Sequence, residues 1–468
     1  MKKNLLRTLL FVVMCSAHFD VIAADLMDVY HQAVDNDPDF KIAYSTFMSQ
    51  SEVLPQAWAA LLPQLTLAAV AGRTQQIVDT TIFTVNQTYN ANVWKINASQ
   101  AIFNYEAWSK VQQAKASVKA SLASFNNAAQ ELMMRTTSTY LYVLFAKDTL
   151  RYAQAKKRAN MRQLNQATQR FKVGVDAITA VYESQAAYDQ SCAEVIAAQN
   201  DLINKNELLS QITNHLYDQV ASLAHDEIPL IQPEPNTVDT WISTGLKQNF
   251  NLFVAKYNLE AARENIKAQS AGNWPVFSLS GNTAETHNDL GSLTTGIKSI
   301  SQSAITDLAS SVFIPKRQVL SNIGISMNFP IIQGGLVVSQ TRQAEYNYQT
   351  SSQQLEKVYR GLVVGGKIAF NNVIAGIQKV KADRKTVFSQ QASLDSVNDQ
   401  YLAGTRTMTD VVLAQRNLYE AQEQLAKDQY NVINATLKLK YVAGTLTVDD
   451  LEEVNAWLNT KNKIARAH

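Results

Sequence analysis

From Leu355 onward the apolar positions fall at Leu355, Tyr359, Leu362, Ala369, Val373, Val380, Val387, Leu394 and Tyr401. Steps alternating between three and four give a period near 3.5, which predicts a long helix packed in coiled-coil fashion. Gly361, Gly365, Gly366 and Gly376 lie in the same stretch and leave room for a neighbour to come close. A helix from Gly335 to about Gln400 would be roughly 100 Å long at ~1.5 Å per residue, and Ala107 to Arg170 predicts another as long. Elsewhere the period drops to two. In Val319–Phe329 the odd positions read Val, Ser, Ile, Ile, Met, Phe and the even ones Leu, Asn, Gly, Ser, Asn. Trp94, Ile96 and Ala98 likewise alternate with Lys95, Asn97 and Ser99. Such alternation marks strands with one apolar and one polar face.

Proline placement agrees with this division. All nine prolines lie at 38, 55, 63, 229, 233, 235, 275, 315 and 330, and none falls between 64 and 228 or after 330. A helix interior excludes proline, which lacks the N–H and clashes with the preceding turn. Four shorter helical stretches are expected at about 26–62, 175–213, 238–274 and 407–443. Strands are expected after Pro63 and Pro275 and again before each long helix.

These elements occur twice. Tyr30–Leu67 matches Ile242–Leu279 at a constant offset of 212, with Pro63 on Pro275. Phe171–Gly174 matches Tyr401–Gly404 at an offset of 230, which also sets Ile178–Val181 on Met408–Val411. The second copy has therefore gained 18 residues, placed by composition in the Ser-, Thr- and Gly-rich stretch 281–311. Repetition on this scale is a statement about the whole fold. The expected organisation is a leader at 1–24, a first repeat at 25–213, a linker at 214–236, a second repeat at 237–443 and a C-terminal segment at 444–468.

Four strands cannot enclose a lumen, because barrels begin at about eight. If the strands span a membrane, several chains must share one barrel. A soluble periplasmic coiled-coil adaptor or scaffold, with the strands in a separate domain, is the alternative, and extraction without detergent would distinguish it.

Composition narrows the setting. Lys2, Lys3 and Arg7 precede the apolar run Leu9–Met14, and Ala23-Ala24 follows, the order of a secretory leader cut near Ala24–Asp25. Cys15 raises a lipoprotein alternative, although Val12-Val13-Met14 lacks the small residue expected before a lipidated cysteine. Lys plus Arg number 42 and Asp plus Glu 40; removing the leader leaves 39 of each. That neutral balance, without basic blocks, argues against nucleic acid as a partner. Cys192 remains as a small packing residue. Histidines at 18, 31, 215, 225, 287 and 468 show no metal-ligand spacing, and neither Gly334-Gly335 nor Gly365-Gly366 makes a phosphate loop. No catalytic constellation, cofactor site or metal site is expected.

Leu-Leu-Pro-Gln-Leu at 61–65, Asn-Phe-Pro-Ile-Ile-Gln-Gly-Gly at 328–335, residues 339–348 and Tyr401-Leu-Ala-Gly-Thr-Arg-Thr-Met-Thr-Asp-Val411 together resemble the TolC family of outer-membrane efflux channels. The resemblance covers nearly the whole mature chain. It implies a mainly α chain with membrane strands, internally duplicated. Three chains would share a twelve-stranded β-barrel in outer-membrane lipid and a long antiparallel coiled-coil α-barrel in the periplasm. The linker and the C-terminal segment would form an equatorial band. The implied partners are a periplasmic adaptor (membrane fusion) protein and an inner-membrane pump of the RND, ABC or MFS type. The implied function is a gated exit duct for drugs or proteins.

By the same resemblance the turns at Gly174-Val175 and Gly404-Thr405 are the periplasmic tips, where an adaptor would dock. Pro63, Pro275, Pro330, Gly334 and Gly335 fall at strand–helix junctions. Asp410 would form an acidic ring at the narrowest point, its pKa raised by crowding, although Thr407 and Asp410 also fit a capping box. Tyr401, Arg406 and Thr179 would belong to a network holding the tips inward. The family pattern is not kept throughout, since Leu413, Ala180 and Asn398 stand where acids are expected. Asp176 offers a replacement carboxylate, so Arg406 is expected to pair with Asp176 or bond Thr179.

Overall fold

A computed structural model of the chain describes residues 24–79, 83–217, 219–223, 228–297 and 315–458. The leader with Cys15, parts of the linker and insertion, and the last ten residues lie outside the described residues. The first repeat runs α1 (Leu26–Asn36), α2 (Pro38–Ser51), α3 (Val53–Ala59), β1 (Gln64–Asp79), β2 (Phe83–Phe103), α4 (Tyr105–Lys172) and α5 (Ile178–Thr213). The second runs α6 (Val238–Gln248), α7 (Phe250–Ser270), β3 (Val276–Ile297), β4 (Arg317–Asn328), α8 (Leu336–Leu402) and α9 (Met408–Ala443), and α10 (Val448–Leu458) follows. The long helices have 68 and 67 residues, and α5 and α9 have 36 each. The hairpins differ where the insertion was expected. Residues 298–316 separate β3 from β4, where 80–82 separate β1 from β2.

The first short helix of each repeat is interrupted rather than continuous over 26–62 and 238–274. One break in each copy falls at Asp37 and Asn249, which are related by the repeat offset, and the first copy has a further one at Glu52. Asp37 Oδ1 accepts from Phe40 N at 2.8 Å, and Asn249 Oδ1 accepts from Leu252 N at 3.1 Å. A side chain that satisfies the orphan amides starts a new helix, and Pro38 at the first position of α2 needs no N–H. The other contacts of these two residues have diverged. Asp37 is buried and pairs with Arg135 at 2.6 Å, whereas Asn249 Nδ2 donates to Val442 O at 3.0 Å. The helix ends α5 and α9 correspond too, with left-handed caps at Asn214 (φ 52°) and Gly444 (φ 73°).

Two compact units form, and neither follows a repeat. One comprises Met1–Thr46, Leu122–Phe253 and Glu356–His468; the other comprises Phe47–Ser121 and Val254–Leu355. Each takes segments from both copies. The first holds the main core, in which Leu26 and Val29 of α1, Tyr140 and Leu144 of α4 and Leu209 of α5 meet Val373, Ile377 and Val380 of α8 and Ile433 and Leu437 of α9. Linker residues Tyr217, Val220 and Ile228 and α10 residues Leu451, Val454 and Leu458 join the same core. Of the apolar stripe on α8, Leu362, Ala369, Val373 and Val380 are buried while Tyr359 is exposed. Gly376 permits the close approach of α9, since a Cβ there would lie 2.9 Å from Val432 Cγ2.

The second unit carries a four-stranded antiparallel sheet in the order β1-β2-β3-β4. Strands of different repeats meet at its centre, from Phe83 opposite Ile297 to Phe103 opposite Phe277. Backbone pairing ends at β1 and β4, each of which has one neighbour in the described chain. All of β4 is exposed, including Val319, Ile323, Ile325 and Met327. Among the described residues no helix is long and apolar enough to cross a membrane.

One buried polar cluster escaped the sequence reading. Asp428 of α9 accepts from Gln424 Nε2 at 2.6 Å and pairs with Lys379 Nζ at 3.0 Å. Burial alone would raise its pKa, but bonds from Gln424, Lys379 and Asp383 hold it below the usual carboxylate range. Asp383, one turn beyond Lys379, is pushed up to about 6 by partial burial and by the Asp428 carboxyl beside it. A carboxyl raised in the folded chain stabilises the fold below its unfolded pKa of about 4, and that contribution is lost as pH rises through its folded value.

Thermal melts in detergent should therefore show Asp383→Asn flattening a decline in stability between about pH 4 and pH 6. Asp428 acts below that window, so it does not mask the effect. Gly444→Ala should cost more than Gly174→Ala, although both glycines have positive φ. A Cβ at 444 would lie 2.6 Å from Gln248 O, whereas nothing lies within 4 Å at 174. The open site should lose about 1 kcal/mol and the crowded one about 3 or more by chemical unfolding.

Candidate functional site: the paired helix tips

Each long helix ends in a left-handed glycine followed by a short turn into the next helix. Gly174 has φ 78° and Gly404 has φ 79°. Val175 N donates to Arg170 O at 2.9 Å, and Thr405 N donates to Gln400 O at 2.9 Å. This i to i−5 bond closes a Schellman turn, which needs a residue tolerating positive φ. The two tips thus share a backbone and differ in side chains.

The difference centres on Asp176, just past the first turn. Tyr401 Oη donates a short hydrogen bond to Asp176 Oδ2. Arg170 Nε donates to the same oxygen at 3.0 Å, and its guanidinium lies 5.0 Å from the centre of the Tyr401 ring. One carboxylate therefore ties the end of α4 to the end of α8. Tyr401 is buried, in a cluster with Ala167, Met408 and Val411, against which Ala180 and Val181 pack. Partial burial alone would raise the Asp176 pKa, but the bonds from Arg170 and Tyr401 and the Arg170 charge outweigh it and hold the carboxyl low. Burial, followed by the Asp176 bond, pushes the Tyr401 phenol up to about 12. Across the neutral range the group is a phenol donating to an ionised carboxylate, a charge-assisted bond.

The expected partner was Arg406, and here the structure differs. Arg406 Nε donates to Gln400 Oε1 at 3.1 Å, and Nη1 lies 3.8 Å from Asp410 Oδ1. Arg170 takes the place beside Asp176 because the glycine turn brings the last turn of α4 back over it. Thr179 lies exposed on α5, outside these bonds. Sequence reasoning missed Arg170; its cue was a base and an acid six residues apart across a helix-ending glycine.

Asp410 caps α9. Its Oδ2 accepts from Thr407 N at 2.9 Å and from Thr407 Oγ1 at 2.9 Å, while Asp410 N donates to Thr407 Oγ1. Those bonds, from the Thr407 amide first, hold its carboxyl below the usual range within one chain. Crowding between chains would act against them. Ala177 takes the Thr407 position before α5, and no side-chain cap forms there.

The junction residues lie in the sheet unit. Pro63 and Pro275 immediately precede β1 and β3, and Pro330 closely follows β4. Gly334 and Gly335, with φ 57° and 81°, turn the chain into α8. Gln333 Nε2 fixes that turn by donating to Gly272 O at 3.0 Å. Among the described residues no group of His, Cys, Asp and Glu could hold a metal ion.

Comparison with known proteins agrees with this architecture. The family described as Outer membrane efflux protein matches residues 29–215 and 241–445, one segment for each repeat. Outer membrane protein TolC of Escherichia coli (strain K12) is 33% identical over 433 residues, 92% of this chain and 85% of the relative. TolC of Vibrio cholerae is 30% identical, over 95% of this chain and 96% of the relative. Alkaline protease secretion protein AprF of Pseudomonas aeruginosa is 26% identical, over 93% and 88%. Among solved structures, the CusC transmembrane channel superposes with a TM-score of 0.75 at 16% identity, covering 91% of this chain and 93% of that one. The Vibrio cholerae outer membrane protein VceC gives 0.74 at 17%, covering 90% and 96%. The soluble adaptor or scaffold reading finds no support among these relatives. The duplicated tips, the two-faced strands and the match across both repeats lead to one conclusion: the chain belongs to the outer membrane efflux protein family and is a TolC-like outer-membrane channel.

Proposed function

We propose that three copies of this chain assemble into the exit duct of a tripartite efflux or type I secretion system. The carrying observation is the four-stranded sheet with bare edges at β1 and β4 and exposed apolar side chains along its strands. Edge-to-edge pairing of three sheets gives twelve strands, enough to enclose a lumen, with the apolar faces against outer-membrane lipid. The long helices then line the periplasmic part of the duct.

A periplasmic adaptor docks on the tips, and an inner-membrane pump of the RND, ABC or MFS type drives transport through it. The first tip suits an apolar contact, since Phe171, Val173, Val175, Ile178 and Tyr182 are all exposed around Gly174. Asp410 of each chain faces the narrowest point, where a ring of acids favours cations.

Tyr401, Asp176 and Arg170 form the latch of the entrance. A hydrogen bond to a charged group contributes about 1.5–3 kcal/mol, so the Tyr401–Asp176 bond, with Arg170 steadying the carboxylate, holds the tips together yet yields to a docking partner. Arg406 acts on a different step. Beside Asp410 it offsets part of the acidic charge and does not hold the latch.

Mass measurement of the detergent complex should give three chains; a monomer would overturn the assembly. In planar bilayers Tyr401→Phe and Asp176→Asn should each raise single-channel conductance, and the double variant should add little because both break the Tyr401–Asp176 bond that joins the tips. Arg406→Gln should leave the opening unchanged and strengthen cation preference, whereas Asp410→Ala should weaken that preference and block by multivalent cations. If Arg406→Gln opens the channel as Tyr401→Phe does, the latch is wrongly assigned.

A further inference from the structure

A cavity of about 310 Å³ lies where the linker meets the second repeat, within the unit that holds the main core. Its walls come from linker residues 228–234, Trp241 of α6, one face of α9 and one face of α10. The linker prolines account for the space. Proline gives up the amide N–H and fixes φ, and with Pro229, Pro233 and Pro235 this part of the linker joins neither a helix nor the sheet. It lies against the helices without closing on them.

The lining grades from buried apolar side chains to exposed acids. Ile433 and Leu437 are buried, Trp241 and Trp457 are half-buried, and Glu234 and Glu453 are exposed. Trp241 Nε1 donates to Pro235 O at 2.8 Å, which fixes the indole and leaves its ring for contact. Three acids, Glu234, Asp450 and Glu453, line the cavity against one base, Lys440. Lys440 Nζ donates to Asp450 Oδ1 at 2.5 Å and lies 3.9 Å from Glu453 Oε2. That pair cancels, so the lining keeps an excess of negative charge. Indole rings attract cations through the negative face of the π-system, and the carboxylates add a second attraction of the same sign. A bare metal ion is poorly served, since hard cations take about six or more oxygen ligands and these walls are largely hydrocarbon.

We propose that this cavity binds an organic cation, a quaternary ammonium or protonated amine with a compact apolar body. The body displaces water from Ile433, Leu437 and the two indoles, and the charge rests beside the indoles and the carboxylates of Glu234 and Glu453. Ligand sites begin at about 300 Å³, so this one holds a single ring or a short branched chain. None of its residues belongs to the latch or the tip turns. Occupancy acts instead on the joint that the linker makes with α6, α9 and α10. A ligand that binds the folded chain alone makes that joint harder to unfold.

Calorimetric titration of the full chain, purified in uncharged detergent, with benzyltrimethylammonium tests the site. Benzenesulfonate and benzyl alcohol serve as anionic and neutral matches. The cation should bind saturably, one per chain, and raise the melting temperature, while neither match does so. Trp457→Leu and Glu453→Gln should each weaken binding roughly three- to thirtyfold. Glu453→Gln alters an exposed side chain, so it reports on the site even if Trp457→Leu fails to fold. No saturable binding of the cation, equal binding of benzyl alcohol, or undiminished affinity in Glu453→Gln would overturn the proposal.

Discussion

Backbone groups along the two outer strands of the sheet impose the constraint from which the rest follows. A strand in hydrocarbon has no water to satisfy its N–H and C=O groups, so an open edge there costs several kcal/mol per group. The chain pairs β1 with β2, β2 with β3 and β3 with β4, and then stops. Its own sheet is thus a fragment of a wall, which is the ground for the proposal that other copies close it. Internal duplication supplies half of the required symmetry, because one hairpin from each repeat meets the other across β2 and β3. The long helices repeat that pairing, each following one strand in the chain and ending in one of two related glycine turns.

Duplication also explains where specificity can arise. The positions that set backbone direction have been kept in both copies: Asp37 with Asn249, Asn214 with Gly444, and Gly174 with Gly404. The side chains around them were free to diverge. At the tips that freedom produced a capping box at Thr407 and Asp410 in one copy and a bare Ala177 in the other. It also produced an acid at 176 that reaches a tyrosine from the opposite repeat. A symmetric scaffold with unequal tips is a sound basis for a gate, since one tip can hold the other.

Much of this was legible in the residues. The change of period from 3.5 to two marked α8, β4 and part of β2, because packing faces repeat regardless of context, while the prolines and the repeat placed β1, β3 and α4. The interruptions at Asp37 and Asn249 were harder, since an Asx cap competes with helix continuation through local bonds that apolar periodicity does not register. At the tip the sequence identified Tyr401 and Asp176 but gave the cation's place to Arg406. The choice between Arg170 and Arg406 depends on how a Schellman turn folds the last helical turn back over the next residues, a matter of three-dimensional reach. The Asp383–Asp428 pair was invisible for a related reason. Two acids on different helices become a coupled unit only when burial brings them together.

The proposed latch uses residues of a single chain, and this bears on how an entrance shared between copies would respond. Arg170, Asp176 and Tyr401 find one another without a neighbour, so each subunit carries a complete copy of its own fastening. In the assembly proposed above, the work of opening this latch would grow with the number of subunits released. On that reading each subunit carries its own shutter. Intermediate widths would then be states in their own right, open to cargo too large for the resting aperture and too small to need all of it.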